Sequence, residues 1–207
     1  QNLMALHQRG LDDDLIHKAT SLVREYPEEI ILFNLLGVSF ERKGSLKNAA
    51  EAYKSALKIN PNIPEMNFNL GAILFSENKV EEAIKFYEKS IQLNNRFPEA
   101  HFNLGIAFQS AGRFDDAIQC YQKAIQIQPG FFEAITNMGT IKQLQGHLDE
   151  AADFFKKSLS IREDGRGHYN LANVLRNQGN LSASINHYRK AIELGSGEAE
   201  FYSDLGD

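Results

Sequence analysis

The feature that most restricts this chain is a repeat with a nearly fixed step. A Leu-Gly pair or its equivalent stands at Leu36-Gly37, Leu70-Gly71, Leu104-Gly105 and Met138-Gly139, each 34 residues after the last. It returns at Leu171-Ala172 after 33 residues and at Leu205-Gly206 after 34. Three further series keep step with it. Small residues fall at Ala49, Ala83, Ala117, Ala151 and Ser184, and aromatics at Tyr53, Tyr87, Tyr121, Phe155 and Tyr188. A second small series runs Ala56, Ser90, Ala124, Ser158, Ala191. A chain that repeats at this length folds as an array of similar units, each leaning on its neighbours to bury its apolar face.

The unit over 98–131 shows what the array is made of. Its apolar residues fall at Leu104, Ala107 and Phe108, then at Phe114, Ala117, Ile118, Tyr121 and Ile125. Three-and-four spacing is that of a helix face, so the unit reads as two amphipathic helices meeting at Gly112 and closed at Pro129. Every unit repeats this plan. Gly44, Asn78, Gly112, Gly146 and Gly179 separate the helices, and glycine and asparagine enter the left-handed conformation most easily. Acidic pairs at Glu81-Glu82, Asp115-Asp116 and Asp149-Glu150 fall where the next helix dipole favours negative charge. Pro61 and Pro129 mark unit ends.

The repeated glycine carries a packing expectation. At the Gly37 position it lies inside the first helix, where it costs about 1 kcal/mol relative to alanine. Such a residue is kept where a second helix must come close, with Ala49 and its equivalents as the matching small surface and the aromatics filling the wider space beyond. Leu57, Ile91, Ile125, Leu159 and Ile192 then carry the stripe towards the next unit.

Length and charge narrow the function. The 207 residues are long enough for a sizeable core, and the formal net charge of -5 gives no general basic field, so nucleic acid is not an expected partner. One cysteine rules out an internal disulfide framework and multi-cysteine metal sites. No apolar run approaches bilayer length, so no membrane partner is expected. The first residues lack a cleavable signal pattern and the chain does not start with methionine. Both ends fall inside repeats, so the chain is read as a segment of something longer, cytoplasmic by default.

The pattern of leucine-glycine, alanine, tyrosine and closing proline resembles the tetratricopeptide repeat. That resemblance implies an all-α fold, a right-handed alpha-alpha superhelical solenoid forming a single domain over 1–207. Full units are set at 30–63, 64–97, 98–131, 132–164 and 165–198. Residues 1–29 form most of a preceding unit, with Gly10 as its turn and Pro27 as its close, and 199–207 start a further one. The sequence departs from the family pattern in places. Phe33, Asn67, His101, Ile135 and His168 stand at the family's tryptophan, and Asn95, Glu163 and Ser196 replace the closing proline. The junction IREDGRGHYN, over 161–170, is one residue short. It is read as tolerated loop variation, with a hinge as the sharper alternative.

No catalytic constellation emerges. His7, His17, His101, His147, His168 and His187 are spread over the chain and read as separate packing or surface residues. Cys120 has no sequence-local histidine and reads as a partly buried apolar thiol. The glycines of Asp164-Gly165-Arg166-Gly167 match neither a dinucleotide fingerprint nor a phosphate loop. No catalytic, metal or cofactor site is expected, and this segment is not read as an enzyme.

Binding is expected on the first helices, which line the concave wall of such a stack. One residue before each Leu-Gly pair stand Asn69, Asn103, Asn137 and Asn170, with Leu35 in the first full unit. A carboxamide both donates and accepts, so a column of them suits the backbone of an extended peptide. Beside them lie Phe68, Phe102, Thr136 and Tyr169, then Ala72, Ile106, Thr140 and Asn173, with Gln109, Gln143 and Arg176 a turn on. This mixed wall suits a peptide groove better than a small-molecule pocket.

The motifs FNLG, FNLG, TNMG and YNLA resemble the asparagine row in the repeat domain of O-linked N-acetylglucosamine transferase, which contacts extended protein substrates. Asparagine is also common at this position across the tetratricopeptide family, so the column reads equally as ordinary surface chemistry. Chaperone-adaptor repeats clamp a terminal carboxylate with basic residues on this wall. Here the matching positions are largely Glu65, Phe68, Glu99 and Phe102, and only Arg166 and Arg176 add positive charge. The first expectation is therefore a module that binds an extended segment of a protein partner. Two others stand beside it: the substrate-recruiting arm of a larger enzyme such as a glycosyltransferase or sulfotransferase, and a scaffold that self-associates end to end.

Overall fold

A computed structural model describes residues 3–195, and all twelve elements it contains are α-helices. The expected start of a further unit over 199–207, the Leu205-Gly206 pair and Ser196 lie outside the described residues. The helices fall into two compact units, the first ending at Ala111 and the second beginning at Gly112.

The first unit holds α1 (Leu3–Gln8), α2 (Asp12–Glu25), α3 (Ile30–Arg42), α4 (Leu46–Ile59), α5 (Pro64–Ser76), α6 (Val80–Leu93) and α7 (Pro98–Ser110). Each packs on the helix before it in the chain. The second unit holds α8 (Phe114–Ile127), α9 (Phe132–Leu144), α10 (Leu148–Ile161), α11 (Gly165–Asn177) and α12 (Leu181–Glu193), stacked in the same order. The two-helix plan read from the spacing is the plan observed.

The ends of the helices follow from particular residues. Gly44 and Asn78 sit at φ 70° and 61°, the left-handed conformation expected between the helices of a repeat. Just beyond Gly44 the Ser45 N–H reaches back to the Phe40 carbonyl at 2.8 Å, so carbonyls left open at the end of α3 are satisfied. Pro64 and Pro98 open α5 and α7 in the first turn, where no backbone N–H is needed. The acidic pairs at 81–82, 115–116 and 149–150 all lie in the first turn of a helix, as their charge suggests.

The core confirms the repeated series and refines one of them. Ala49, Ala83, Ala117 and Ala151 have no exposed surface, and Tyr53, Tyr87, Tyr121 and Phe155 are buried to 1% or less. The helical glycine makes room chiefly for the aromatic ring. A Cβ on Gly71 would lie 2.9 Å from Tyr87 Cδ1, and one on Gly139 would lie 2.8 Å from Phe155 Cε1. The alanine series lines the same contact, with the Ala83 carbonyl oxygen 3.4 Å from that Cβ position on Gly71. Where serine replaces alanine, its hydroxyl finds a carbonyl on the first helix. Ser90 Oγ donates to Pro64 O at 2.9 Å and Ser184 Oγ to Ala172 O at 2.9 Å.

The short junction between α10 and α11 is fastened by side chains. The Arg162 guanidinium lies over the Phe132 ring, 3.6 Å from its centroid. Asp164 caps α11 by accepting from the Gly167 N–H at 2.9 Å. Glu163 turns back to His168, 3.2 Å away.

Candidate functional site

The residues expected to line the binding wall sit on the first helices of the repeats, and they fall into two groups, one on each compact unit. On the first unit α5 carries Phe68 and Asn69, and α7 carries Phe102, Asn103, Ile106 and Gln109, all half-buried. The Phe68 ring leans on Phe97 at 4.9 Å and on Tyr87 at 5.9 Å, so it is both wall and inter-repeat packing. Leu35, which stands in the asparagine column, is buried at 5% and joins the core of α2, α3 and α4. The column therefore begins at Asn69.

The asparagines have a partner that the sequence reading did not supply. Tyr53 donates its hydroxyl proton to Glu41 Oε2 at 2.5 Å. Asn69 also bonds that hydroxyl, and with its proton already given away, Asn69 must supply an N–H. Burial and then the Glu41 carboxylate push the Tyr53 pKa up, while the Asn69 bond pulls it back. Asn103 does the same for Tyr87, whose pKa burial pushes up to about 12. In the second unit Asn137 Nδ2 donates to Tyr121 Oη at 3.3 Å, and burial again raises the tyrosine pKa.

Each of these asparagines lies 16 residues after its tyrosine. Two of the repeat series thus had a fixed offset that pointed to the pairing. Burying a phenol whose oxygen lacks a partner is costly, and the amide prevents it. Three of the four column asparagines are consequently tied to the packing between repeats.

The second unit differs in chemistry. Thr136 and Thr140 return their hydroxyls to the Phe132 and Thr136 carbonyls at 2.9 and 3.2 Å. Both hydroxyl groups are engaged within the fold, and both side chains stay half-buried on α9. Asn173 accepts from the Tyr188 hydroxyl at 2.5 Å, and Tyr169 packs against the same ring at 5.8 Å. Gln143 is half-buried on α9. Arg166 and Arg176 are exposed on α11 and form no ion pair among the described residues. Asn170 makes no side-chain hydrogen bond among the described residues, because the ring at its repeat partner is Phe155, which has no hydroxyl.

A stability difference follows. Asn137→Ala removes the donor to a buried phenol and is expected to cost about 0.5–1.5 kcal/mol. Asn170→Ala removes no bond and is expected to be neutral within about 0.5 kcal/mol. Urea unfolding of the two variants checks this, and equal losses would contradict the assigned partners.

The histidines require a correction. His168 and His187, read separately from the sequence, meet across α11 and α12 with Nδ1···Nδ1 at 2.8 Å and their rings stacked. They occupy one repeat, on facing sides of its two helices, a relation that spacing between repeats could not reveal. His168 is nearly enclosed, and its Nε2 lies 3.2 Å from Glu163 Oε1, with Lys190 3.7 Å from the same oxygen. Among the described residues no group of three or more metal-binding side chains converges.

Burial first, then the charges of His168, Lys190 and Lys156, hold the His187 pKa below the ordinary histidine value. The sign of the consequence is fixed. Below the ordinary histidine pKa the unfolded chain takes up a proton that the folded repeat resists, so stability present at neutral pH is lost as pH falls through the imidazole range. Thermal midpoints between pH 7.5 and 5.5 should fall more steeply for the native chain than for His187→Gln. Parallel curves would contradict this.

The same fold recurs in known proteins. Models of the tetratricopeptide repeat match residues 37–76, 71–112, 98–131 and 132–196. The crystal structure of MamA is similar at TM-score 0.75 and 28% identity, covering 79% of this chain and 95% of that chain. PilW, described as a widely conserved type IV pilus biogenesis factor, is similar at TM-score 0.84 and 20% identity, covering 98% and 94%. YrrB, described as a TPR protein with an unusual peptide-binding site, is similar at TM-score 0.72 and 18% identity, covering 91% and 98%. The last two are likenesses of fold. No curated relative matches the sequence.

Proposed function

Because this chain belongs to the tetratricopeptide repeat family, we propose that it is a protein-interaction module in which the first helices of a compact unit hold an extended segment of a partner. The observation that carries this reading is the state of the asparagine column. Its amides are half-buried, and the tyrosine hydroxyls hold Asn69, Asn103 and Asn137 with an N–H turned towards the packing. An amide held this way leaves its Oδ1 for another donor, and the N–H groups of an extended peptide are donors that recur with every residue. Rigidly placed acceptors bind with less loss of freedom than mobile ones.

Side chains around the column would set preference. Phe68, Phe102 and Ile106 offer apolar contact on the first unit, Tyr169 an aromatic wall on the second, and Gln109, Gln143 and Asn173 further polar contacts. Glu65 and Glu99, both exposed, favour basic side chains beside those apolar contacts. The proposal is the same whether the chain acts alone or recruits substrate for a catalytic domain joined to it.

The test is peptide capture by a variant with Asn69, Asn103, Asn137 and Asn170 changed together to alanine. It should bind an unstructured peptide pool about tenfold or more weakly while keeping its helical circular dichroism at 5 °C. Undiminished capture by the folded variant would remove the column as the contact surface.

A further inference from the structure

The second helices carry one more register, just before the buried aromatic of each repeat. It reads Ala52 on α4, Phe86 on α6, Cys120 on α8, Phe154 on α10 and His187 on α12. The last of these shows what a side chain in this register can reach. The His187 ring stacks on His168, centroids 5.1 Å apart, and His168 is the repeat counterpart of Phe33. Phe86 and Phe154 are half-buried in their own repeats. On α4 the side chain stops at Cβ, too short to lie over the Phe33 ring, and a groove opens there.

The groove holds about 320 Å³ and lies between α2 and α4, both of which pack on α3. Its floor is made by Phe33, Leu36, Phe40 and Ala52, with both rings half-buried. Phe33, Leu36 and Phe40 share one stripe of α3, while Leu35, at the column position, falls on a different face. The rim is small where other repeats are large. Thr20 stands where later units have Lys54 and Glu88, and Ser55 where they have Lys89, Lys123, Lys157 and Lys190. Among the described residues that line the groove, Glu51 alone is charged, and it is exposed. The volume is at the low end for a bound small molecule and suits a side chain or two.

We propose that this groove is a socket for an aromatic side chain of a partner protein, carried next to a lysine or arginine. The incoming ring takes the place that Phe86, Phe154 and His187 hold in their own repeats, stacked on Phe33 and covering Leu36, Phe40 and Ala52. Aromatic pairs gain more than the area they bury, so a ring is preferred to an aliphatic group of similar size. Glu51 at the rim pairs with the basic neighbour. This is an interaction surface separate from the asparagine column, and neither depends on the other.

The experiment uses the full chain and three fluorescein-labelled, unstructured dodecapeptides on one Ser/Ala background, followed by anisotropy. Their centres are Lys-Phe-Lys, Lys-Leu-Lys and Glu-Phe-Glu. The first should bind about fivefold more tightly than either of the others, and its margin over the third should shrink as salt rises. Ala52→Phe plugs the groove with the side chain that α6 and α10 carry in this register. It should fold, and it should weaken the Lys-Phe-Lys peptide by about tenfold or more. Thr20→Lys with Ser55→Lys closes the rim as the other repeats do and should weaken it in the same way. Changing the four column asparagines to alanine should leave this peptide's affinity unaltered.

Native affinity in folded Ala52→Phe overturns the socket, and if that variant does not fold, native affinity in the Thr20→Lys, Ser55→Lys chain does so. Equal affinity for the Leu-centred peptide overturns the aromatic occupant, and failure of the Lys-Phe-Lys peptide to bind overturns the proposal outright. Loss of binding in the asparagine variant alone would place the peptide on the column and also goes against the socket. A dimer of the native chain that Ala52→Phe abolishes would make the occupant a second copy, against a separate partner.

Discussion

Phe155→Ala is expected to destabilise the second unit by about 3–5 kcal/mol, among the largest losses a single truncation can cause. The ring is fully buried, in a cluster with Ala151, Ala152, Leu171, Val174 and Leu175 drawn from α10 and α11. It also fills the space left by the missing side chain of Gly139, where even a Cβ would lie 2.8 Å from the ring. Helices on either side meet through this ring, so they cannot close over the void without shifting as bodies. For a chain of this size the thermal midpoint should fall by about 10 °C. In a repeat array the loss should appear first as faster amide exchange in α9 to α12, ahead of global unfolding. A drop of under about 1 kcal/mol would show that the inter-helix seam is held elsewhere.

The second large effect is the reverse error, an added side chain where the fold has none. Gly71→Leu places a Cβ 2.9 Å from two edge atoms of Tyr87, a ring 1% exposed and unable to swing aside. Overpacking of this kind costs about 1–3 kcal/mol, against which the better helix propensity of leucine returns only about 1 kcal/mol. The upper end is expected because the Ala83 carbonyl closes the other side at 3.4 Å. The cause is separable from a general intolerance of α5. In a double-mutant cycle Tyr87→Ala should relieve the Gly71→Leu penalty, giving a coupling of about 1–3 kcal/mol. Strict additivity would contradict direct contact between the two positions.

These two residues show why the fold was so legible. Gly71, Ala83, Tyr87 and Ser90 each have counterparts at a nearly constant step, and such a step is kept when each copy meets similar surroundings. Periodicity therefore carried tertiary information, including the close approach at glycine. It did not say which atom fills that gap. The spacing alone suited helix against helix, and the ring edge of Tyr87 proved to be the main neighbour.

The site was legible to a lesser degree. That Asn69 and Asn103 lie on one helix face follows from spacing. That each bonds a tyrosine does not, since an aromatic series at this spacing is accounted for by packing of its rings alone. The partner could have been suspected, because a buried phenol demands a partner and asparagine is the nearest recurring polar residue. Thr136 shows a further bond that spacing does not reveal, its hydroxyl being returned to the Phe132 carbonyl. The meeting of His168 and His187 leaves no trace in the spacing, because it occurs in one repeat alone, through the pairing of α11 with α12.

The central claim is that the partner's backbone lies against the column of amides. The most direct measurement follows the asparagine side-chain NH2 resonances by nuclear magnetic resonance while an unstructured peptide that the chain captures, free of aromatic residues, is added. Shifts are expected at the column amides of a compact unit, Asn69 and Asn103 on the first or Asn137 and Asn170 on the second, with Asn48 and Asn186, exposed on the second helices, unmoved. Shifts at Asn48 and Asn186 with the four column amides unchanged would contradict it.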